Sequence, residues 1–152
     1  MRVMRGGRRF TVGVAPDGEG LVSHAGAALL AEVADRTGLT RELSRALAGM
    51  RERRRTHDPG RVIRDLAVML ADGGDCLSDL RAVRDQQPLF GAVASDSTAF
   101  RLIDRIAGDP GALEALRAAR ARARARAWEL GARPERIVID VDATLIGAHT
   151  EK

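Results

Sequence analysis

Arg136–Lys152 reads RIVIDVDATLIGAHTEK, and the reading of this stretch decides what the rest of the chain is for. Ile137, Val138, Ile139 and Val141 are β-branched, the composition of a short buried strand. Side chains alternate across a strand, so Ile137, Ile139 and Val141 take one face while Val138, Asp140 and Asp142 take the other. Two carboxylates then project the same way, about 6.5–7 Å apart along the strand. Acidic residues are depleted in strands and costly to bury unpaired, so the pair needs a partner. A divalent metal ion is one answer, because hard cations take oxygen ligands. The other is a strand end, where Asp142 caps the turn before Thr144.

Three upstream phrases accompany this stretch: GLVSHAGAALLAEVADRTGL (20–39), DCLSDLRAVRD (75–85) and FGAVASDSTAFRLID (90–104). Together with IVIDVDATLIGAHTEK (137–152) they resemble the amino-terminal region and first catalytic strand of group 1 DDE insertion-sequence transposases, whose catalytic core is RNase H-like. The resemblance runs from Gly20 to Lys152 and is most specific in DVDATL, AHTEK and GAVASDSTAFRLID. It implies that the D-x-T inside DVDATL carries the first catalytic Asp, at Asp142, with Asp140 either assisting at the metal or bonding locally. It implies three carboxylates holding two Mg²⁺ (or Mn²⁺) ions, which clamp the attacking and leaving oxygens of an in-line phosphoryl displacement. Water first cuts at the element's end, and the freed 3′-hydroxyl then attacks target DNA. The implied partners are the terminal inverted repeats, the target DNA and, for the intact transposase, a further copy of itself.

The sequence departs from the family after Asp142. It holds no counterpart of the second catalytic Asp; Glu151 does not stand for the family's Glu, and His149 reads as a loop residue rather than a base. The expectation is an amino-terminal fragment of a transposase, without strand-transfer activity of its own. The alternatives are a stand-alone helical DNA-binding module or an inactive relic of a transposase gene. The expected fold is mostly α, in three parts: a small hairpin or tail over 1–22, a helical DNA-binding region over 23–131, and over 136–152 the first strand of a truncated RNase H-like domain.

Composition agrees with one soluble domain. The chain has 152 residues, enough for an ordinary core. Aromatic residues comprise three Phe, one Trp and no Tyr, so base stacking is a poor candidate for the main binding mode. Twenty-five basic against twenty-one acidic residues give +4, and every basic residue except Lys152 is arginine. Arginine's planar fork suits phosphate. GC-rich coding would produce the same Ala- and Arg-rich composition, so charge supports a nucleic-acid partner only weakly. Cys76 is the single cysteine, which leaves neither a disulfide framework nor a cysteine metal site within the chain. MRVMRGGRRF is basic but leads into no apolar segment, and no stretch is long enough to span a membrane. The expected location is the bacterial cytoplasm, associated with the nucleoid.

In chain order, Phe10, Val12 and Val14 alternate, Pro16-Asp17-Gly18 makes a turn, and Leu21-Val22 returns as a hairpin. Ser23 caps a helix to Arg36 with Leu29, Leu30 and Val33 on its apolar side. Thr37-Gly38-Leu39 breaks it, and a second helix runs from Thr40 to Ala48. This outline fits a helix-turn-helix reader with Thr40, Arg41, Ser44 and Arg45 toward DNA; an ordinary αα-hairpin fits it as well. The basic run at 51–55, which includes Arg53 and Arg54, is either a solvated connector or a phosphate-contacting loop. His57 by itself carries no role.

Asp58 and Pro59 open a core helix with Val62, Ile63, Leu66, Met69 and Leu70 inward, stopped by Asp72-Gly73-Gly74. A shorter helix spans 77–86, with Cys76 a small core residue before it. Ser95 or Asp96 caps a helix through Ala107 that buries Phe100, Ile103 and Ile106. By the resemblance, Arg101 and Arg105 on this helix are candidate DNA contacts. A long helix from Pro110 to Leu130 sets Leu113, Leu116, Ala119, Ala123, Ala127 and Leu130 in one arc. Arg117, Arg120 and Arg124 flank that arc on one side, and Arg122 and Arg126 on the other. Arg120 and Arg124 are candidates to ride along a DNA backbone; a solvated helix face is the competing reading.

Overall fold

The tripeptide Asp-Pro-Gly occurs twice, at 58–60 and 109–111, and each copy starts a helix. Asp58 Oδ1 accepts the Arg61 N–H at 3.0 Å, and Asp109 Oδ1 accepts the Ala112 N–H at 3.1 Å. Proline at the first helical position lacks the N–H that this turn would otherwise leave unpaired. A computed structural model of the chain describes residues 2–6, 9–13, 25–51 and 57–141, the first two stretches as backbone. Its helices are α1 (Ala27–Arg36), α2 (Leu39–Ala46), α3 (Pro59–Ala71), α4 (Leu80–Arg84), α5 (Gln87–Phe90), α6 (Asp96–Ala107) and α7 (Pro110–Ala127). Short 3-10 turns lie at Ala48–Met50 and Leu77–Asp79, and one π turn at Trp128–Ala132 follows α7. The described part of the chain is mostly helical, as expected.

α2 is the central element, packed against both α3 and α7, while α1 lies on α3 and α6 on α7. The core draws Leu47, Val62, Leu66, Met69, Leu80, Val83, Phe90 and Leu102 together, and Leu80 is completely buried. α7 contributes alanines: Ala112, Ala119 and Ala123 are buried, and such small side chains let helix backbones approach closely. Gly38, with φ 78°, makes the tight link from α1 to α2, a conformation that favours glycine.

Several inward faces differ from those the sequence suggests. α1 buries Ala27, Ala28, Ala31 and Ala34, while Leu29 and Val33 are 60 % and 56 % exposed and Leu30 also lies outward. α6 buries Ala99, Leu102 and Ile106 and leaves Phe100 58 % exposed, with Ile103 at the margin. In both helices an alanine-led face has the same 3.6-residue period as the bulkier face, so periodicity cannot choose between them. α3 follows expectation except at its last turn, where Leu70 is exposed. On α7 Leu130 is exposed too, beyond the end of the regular helix.

Cys76 is exposed, not a core residue. Its N–H and thiol both donate to Asp79 Oδ2 at 3.1 Å, and the Asp75 N–H makes a third bond at the same distance. The thiol and these two amides hold the Asp79 carboxyl down at a pKa of about 2. A carboxylate whose pKa is depressed in the folded state stabilises above its unfolded value and loses that contribution as pH falls through the folded one. Asp79→Asn should therefore remove part of the acid sensitivity between pH 3.8 and about 2. Thermal unfolding of both proteins across that window checks this; identical pH dependence would rule the cap out as an acid-labile element.

At the amino terminus the backbone pairs β1 (Arg2–Gly6) antiparallel with β2 (Arg9–Gly13), Val3 opposite Val12. This is a different pairing from the expected one, whose turn at 16–18 and return strand at 21–22 lie outside the described residues. The expected first strand of an RNase H-like sheet is not formed among the described residues: 137–141 is unpaired, with Ile139 81 % and Val141 86 % exposed. A strand requires a ladder partner for its N–H and C=O groups, and no segment among the described residues supplies one. Among the described residues, no helix is long and apolar enough to cross a membrane.

Candidate functional site

The acidic pair of the terminal segment is split by what can be described. Asp140 is solvent-exposed in the segment after α7, and Asp142 lies outside the described residues. Carboxylate oxygens at 140 and 142 are the right donors for a hard divalent ion. Among the described residues the only trio of metal-type ligands drawn within 4.8 Å is Asp75, Cys76 and Asp79, in a different part of the chain. Asp79 in that trio already caps the turn at Leu77–Asp79.

The arginine candidates fall into four situations. Arg41 and Arg45 project from α2 with side chains 64 % and 67 % exposed, yet both bond the same carboxylate. Glu42 Oε1 accepts Arg41 Nε at 3.2 Å and an Arg45 guanidinium N–H at 3.1 Å, while Oε2 accepts Arg122 Nε from α7 at 2.9 Å. The Arg41 bond lowers the Glu42 pKa most; burial opposes it, and Arg122 and Arg45 lower it further. One buried carboxylate thus ties α2 to α7 and fixes three guanidiniums, leaving a local surplus of positive charge. Thr40 and Ser44, the other residues of the expected reading face, serve the fold: Thr40 Oγ1 donates to Asp35 at 2.5 Å and Ser44 Oγ to Asp58 at 2.5 Å. α2 packs between α3 and α7.

Arg53 and Arg54 lie outside the described residues. On α7, Arg120 is exposed with no partner among the described residues, and the Arg124 guanidinium sits 5.7 Å from the Trp128 ring centroid. Arg117 faces Glu114 at 3.7 Å and Arg126 bonds Glu129 at 2.8 Å, so the rest of this row is partly neutralised.

Arg101 and Arg105 have a different setting. They line a small cavity between α6 and the start of α3, together with Met50, His57, Pro59, Val62, Thr98 and Leu102. An Arg105 guanidinium N–H donates to the Met50 carbonyl at 3.3 Å. A neighbouring cavity shares His57 and Val62 and adds Arg51 and Arg61. Arg61 is held by a bond to the Phe90 carbonyl at 3.3 Å. Nothing in the order of residues joins 51, 57, 61, 98, 101 and 105, because their proximity depends on α3 crossing α6. The one available signal was the phase of Arg101 and Arg105, four residues apart and so on one helix face.

The model of the family described as "Transposase DDE domain group 1" matches residues 5–152. No curated protein and no solved structure matches the chain. Members of the family act on DNA, and DDE transposase domains generally use divalent metal ions. With the match covering nearly every residue, DVDATL and the arginine-rich helices included, the chain belongs to the group 1 DDE transposase family.

Proposed function

We propose that residues 25–132 bind transposon-end DNA and that the segment following them contributes the first metal-binding carboxylate of a DDE transposase. The family match over 5–152 is the observation that carries this reading. Asp142 is the proposed first catalytic residue and metal ligand, with Asp140 as its neighbour at the ion. The proposed ion is Mg²⁺, replaceable by Mn²⁺. A bound divalent pair would supply Lewis-acid stabilisation of the attacking and leaving phosphate oxygens. The arginines' role is to hold the DNA backbone in register, through contacts that carry position rather than sequence.

Cutting and joining call for carboxylates beyond Asp140 and Asp142, and none is gathered beside Asp140 among the described residues. The 152-residue chain should therefore bind an end duplex without cutting it. The check is to incubate the purified chain with Mg²⁺ and a duplex carrying the terminal repeat that flanks its gene. A shifted but intact duplex is expected; cleavage at the element's end would refute this division of labour. The second reading, a helical DNA-binding module acting by itself, draws on the closed core among α1–α7. It differs in requiring no contribution from Asp142, so end binding by Asp142→Asn is common to both, and assembly with a catalytic partner belongs to the first alone.

A further inference from the structure

We infer that the paired cavities around His57 form a backbone-phosphate clamp for duplex DNA, with Arg101 and Arg105 on one side and Arg51 and Arg61 on the other. The inference rests on the proposed DNA-binding reading and says which surface does the binding.

Shape argues for a phosphate over other ligands. The Arg101–Arg105 cavity holds about 30 Å³ and the Arg51–Arg61 cavity about 220 Å³. Small-molecule sites usually span about 300–1,000 Å³, so neither cavity encloses an organic ligand or a flipped base. Among the described residues no Phe, Tyr or Trp lines either one, so base stacking is a poor source of affinity. A group presented from outside, small and anionic, fits this pair of shallow basic notches.

Charge agrees. Four arginines and His57 converge there, against Asp58 and Asp65. Both acids are already engaged: Asp58 accepts from Ser44 and the Arg61 backbone, and Asp65 from Arg64. The side chains of Arg61 and Arg105 both bond a backbone carbonyl, which limits the entropy lost when a phosphate binds. Arg101 has no hydrogen-bond or ion-pair partner among the described residues, and Thr98 lines the same notch with its Oγ1 3.0 Å from Ser95 Oγ. Two adjoining notches suit successive phosphates of one strand.

The test is fluorescence-anisotropy titration of a labelled 25-base-pair duplex at 50 and 200 mM salt. It compares the full chain, Arg101→Glu, the double variant Arg101→Ala/Arg105→Ala, and a control, Arg117→Ala/Arg120→Ala on α7. Arg101 makes no hydrogen bond or ion pair among the described residues, so Arg101→Glu breaks none; circular dichroism verifies the fold of every variant. The clamp predicts that Arg101→Glu weakens binding at low salt by on the order of tenfold or more. The double variant empties one notch, so it should lower the slope of log K against log salt by about 0.9, the share of one phosphate. The α7 control should retain most of the affinity. Unchanged affinity and slope in both cleft variants, with the full chain binding normally, overturn the clamp and leave DNA binding standing. A full chain that fails to bind duplex overturns both.

Discussion

Arg64→Ala is expected to cost about 3–5 kcal/mol of folding stability, the usual penalty for removing one partner of a buried ion pair. Arg64 and Asp65 are 5 % and 2 % exposed, neighbours on α3 turned into the protein. Arg64 Nε donates to Asp65 Oδ1 at 2.9 Å, a second guanidinium N–H reaches the same oxygen, and a third lies 3.7 Å from Asp35 Oδ2. Burial raises the Asp65 pKa, and the adjacent Arg64 partly offsets this through its charge and its hydrogen bonds. Without Arg64 the carboxylate would be buried uncompensated.

The sign of the pH effect follows. A carboxyl whose pKa is raised by folding makes its most favourable contribution below the unfolded value, about 3.9, and loses it as pH rises through the folded pKa. Arg64→Ala should therefore be least stable near neutrality and recover on mild acidification, and Asp65→Asn in the same background should recover much of the loss at pH 7. Urea unfolding at pH 7 and pH 5 measures all three. A loss below about 1 kcal/mol would mean that water reaches the pair.

The second large effect runs against helix propensity. Glycine inside a helix is about 0.8–1 kcal/mol less favourable than alanine, so Gly→Ala on a helix normally stabilises. At Gly60 a Cβ would lie 2.2 Å from the Ser44 nitrogen, 2.5 Å from its Cα and 2.6 Å from the Leu43 carbonyl carbon. All three are backbone atoms of α2, so no rotamer change relieves the clash. α2 and α3 would have to separate, straining the Ser44–Asp58 bond. Gly60→Ala should destabilise by about 3 kcal/mol, the upper part of the range for overpacking. Gly111→Ala is the internal control: its Cβ would meet only the Asp109 side chain, at 3.2 Å, and the change should stay within about 1 kcal/mol. Equal effects at the two sites would contradict the close α2–α3 crossing.

This contrast shows what the sequence can convey. Asp58-Pro59-Gly60 and Asp109-Pro110-Gly111 announce both helix starts correctly, because capping is local chemistry. They are silent about Gly60's contact with α2, which is fixed by tertiary approach. The helices and most of their limits were legible for the same local reason. The inward faces of α1 and α6 were not, since alanine and leucine faces share one period and the choice depends on how close the neighbouring helix comes. Arg41 and Arg45 were visible as candidate contacts, but their shared bond to Glu42 and its link to Arg122 depend on α7 packing against α2. The composition of 137–141 suggests a strand that the described residues do not form, because composition cannot provide the neighbour that a strand needs. Arg101 and Arg105 were legible as a pair on one face of α6; the notch around them depends on α3 and the turn at Met50.

The claim that this chain engages transposon ends is tested most directly by titrating the full 152-residue protein against its terminal-repeat duplex and a scrambled duplex at 50 and 200 mM salt. The expected result is tighter binding to the repeat, with both affinities falling steeply as salt rises. Equal affinity for the two duplexes, or no binding to either, would contradict it.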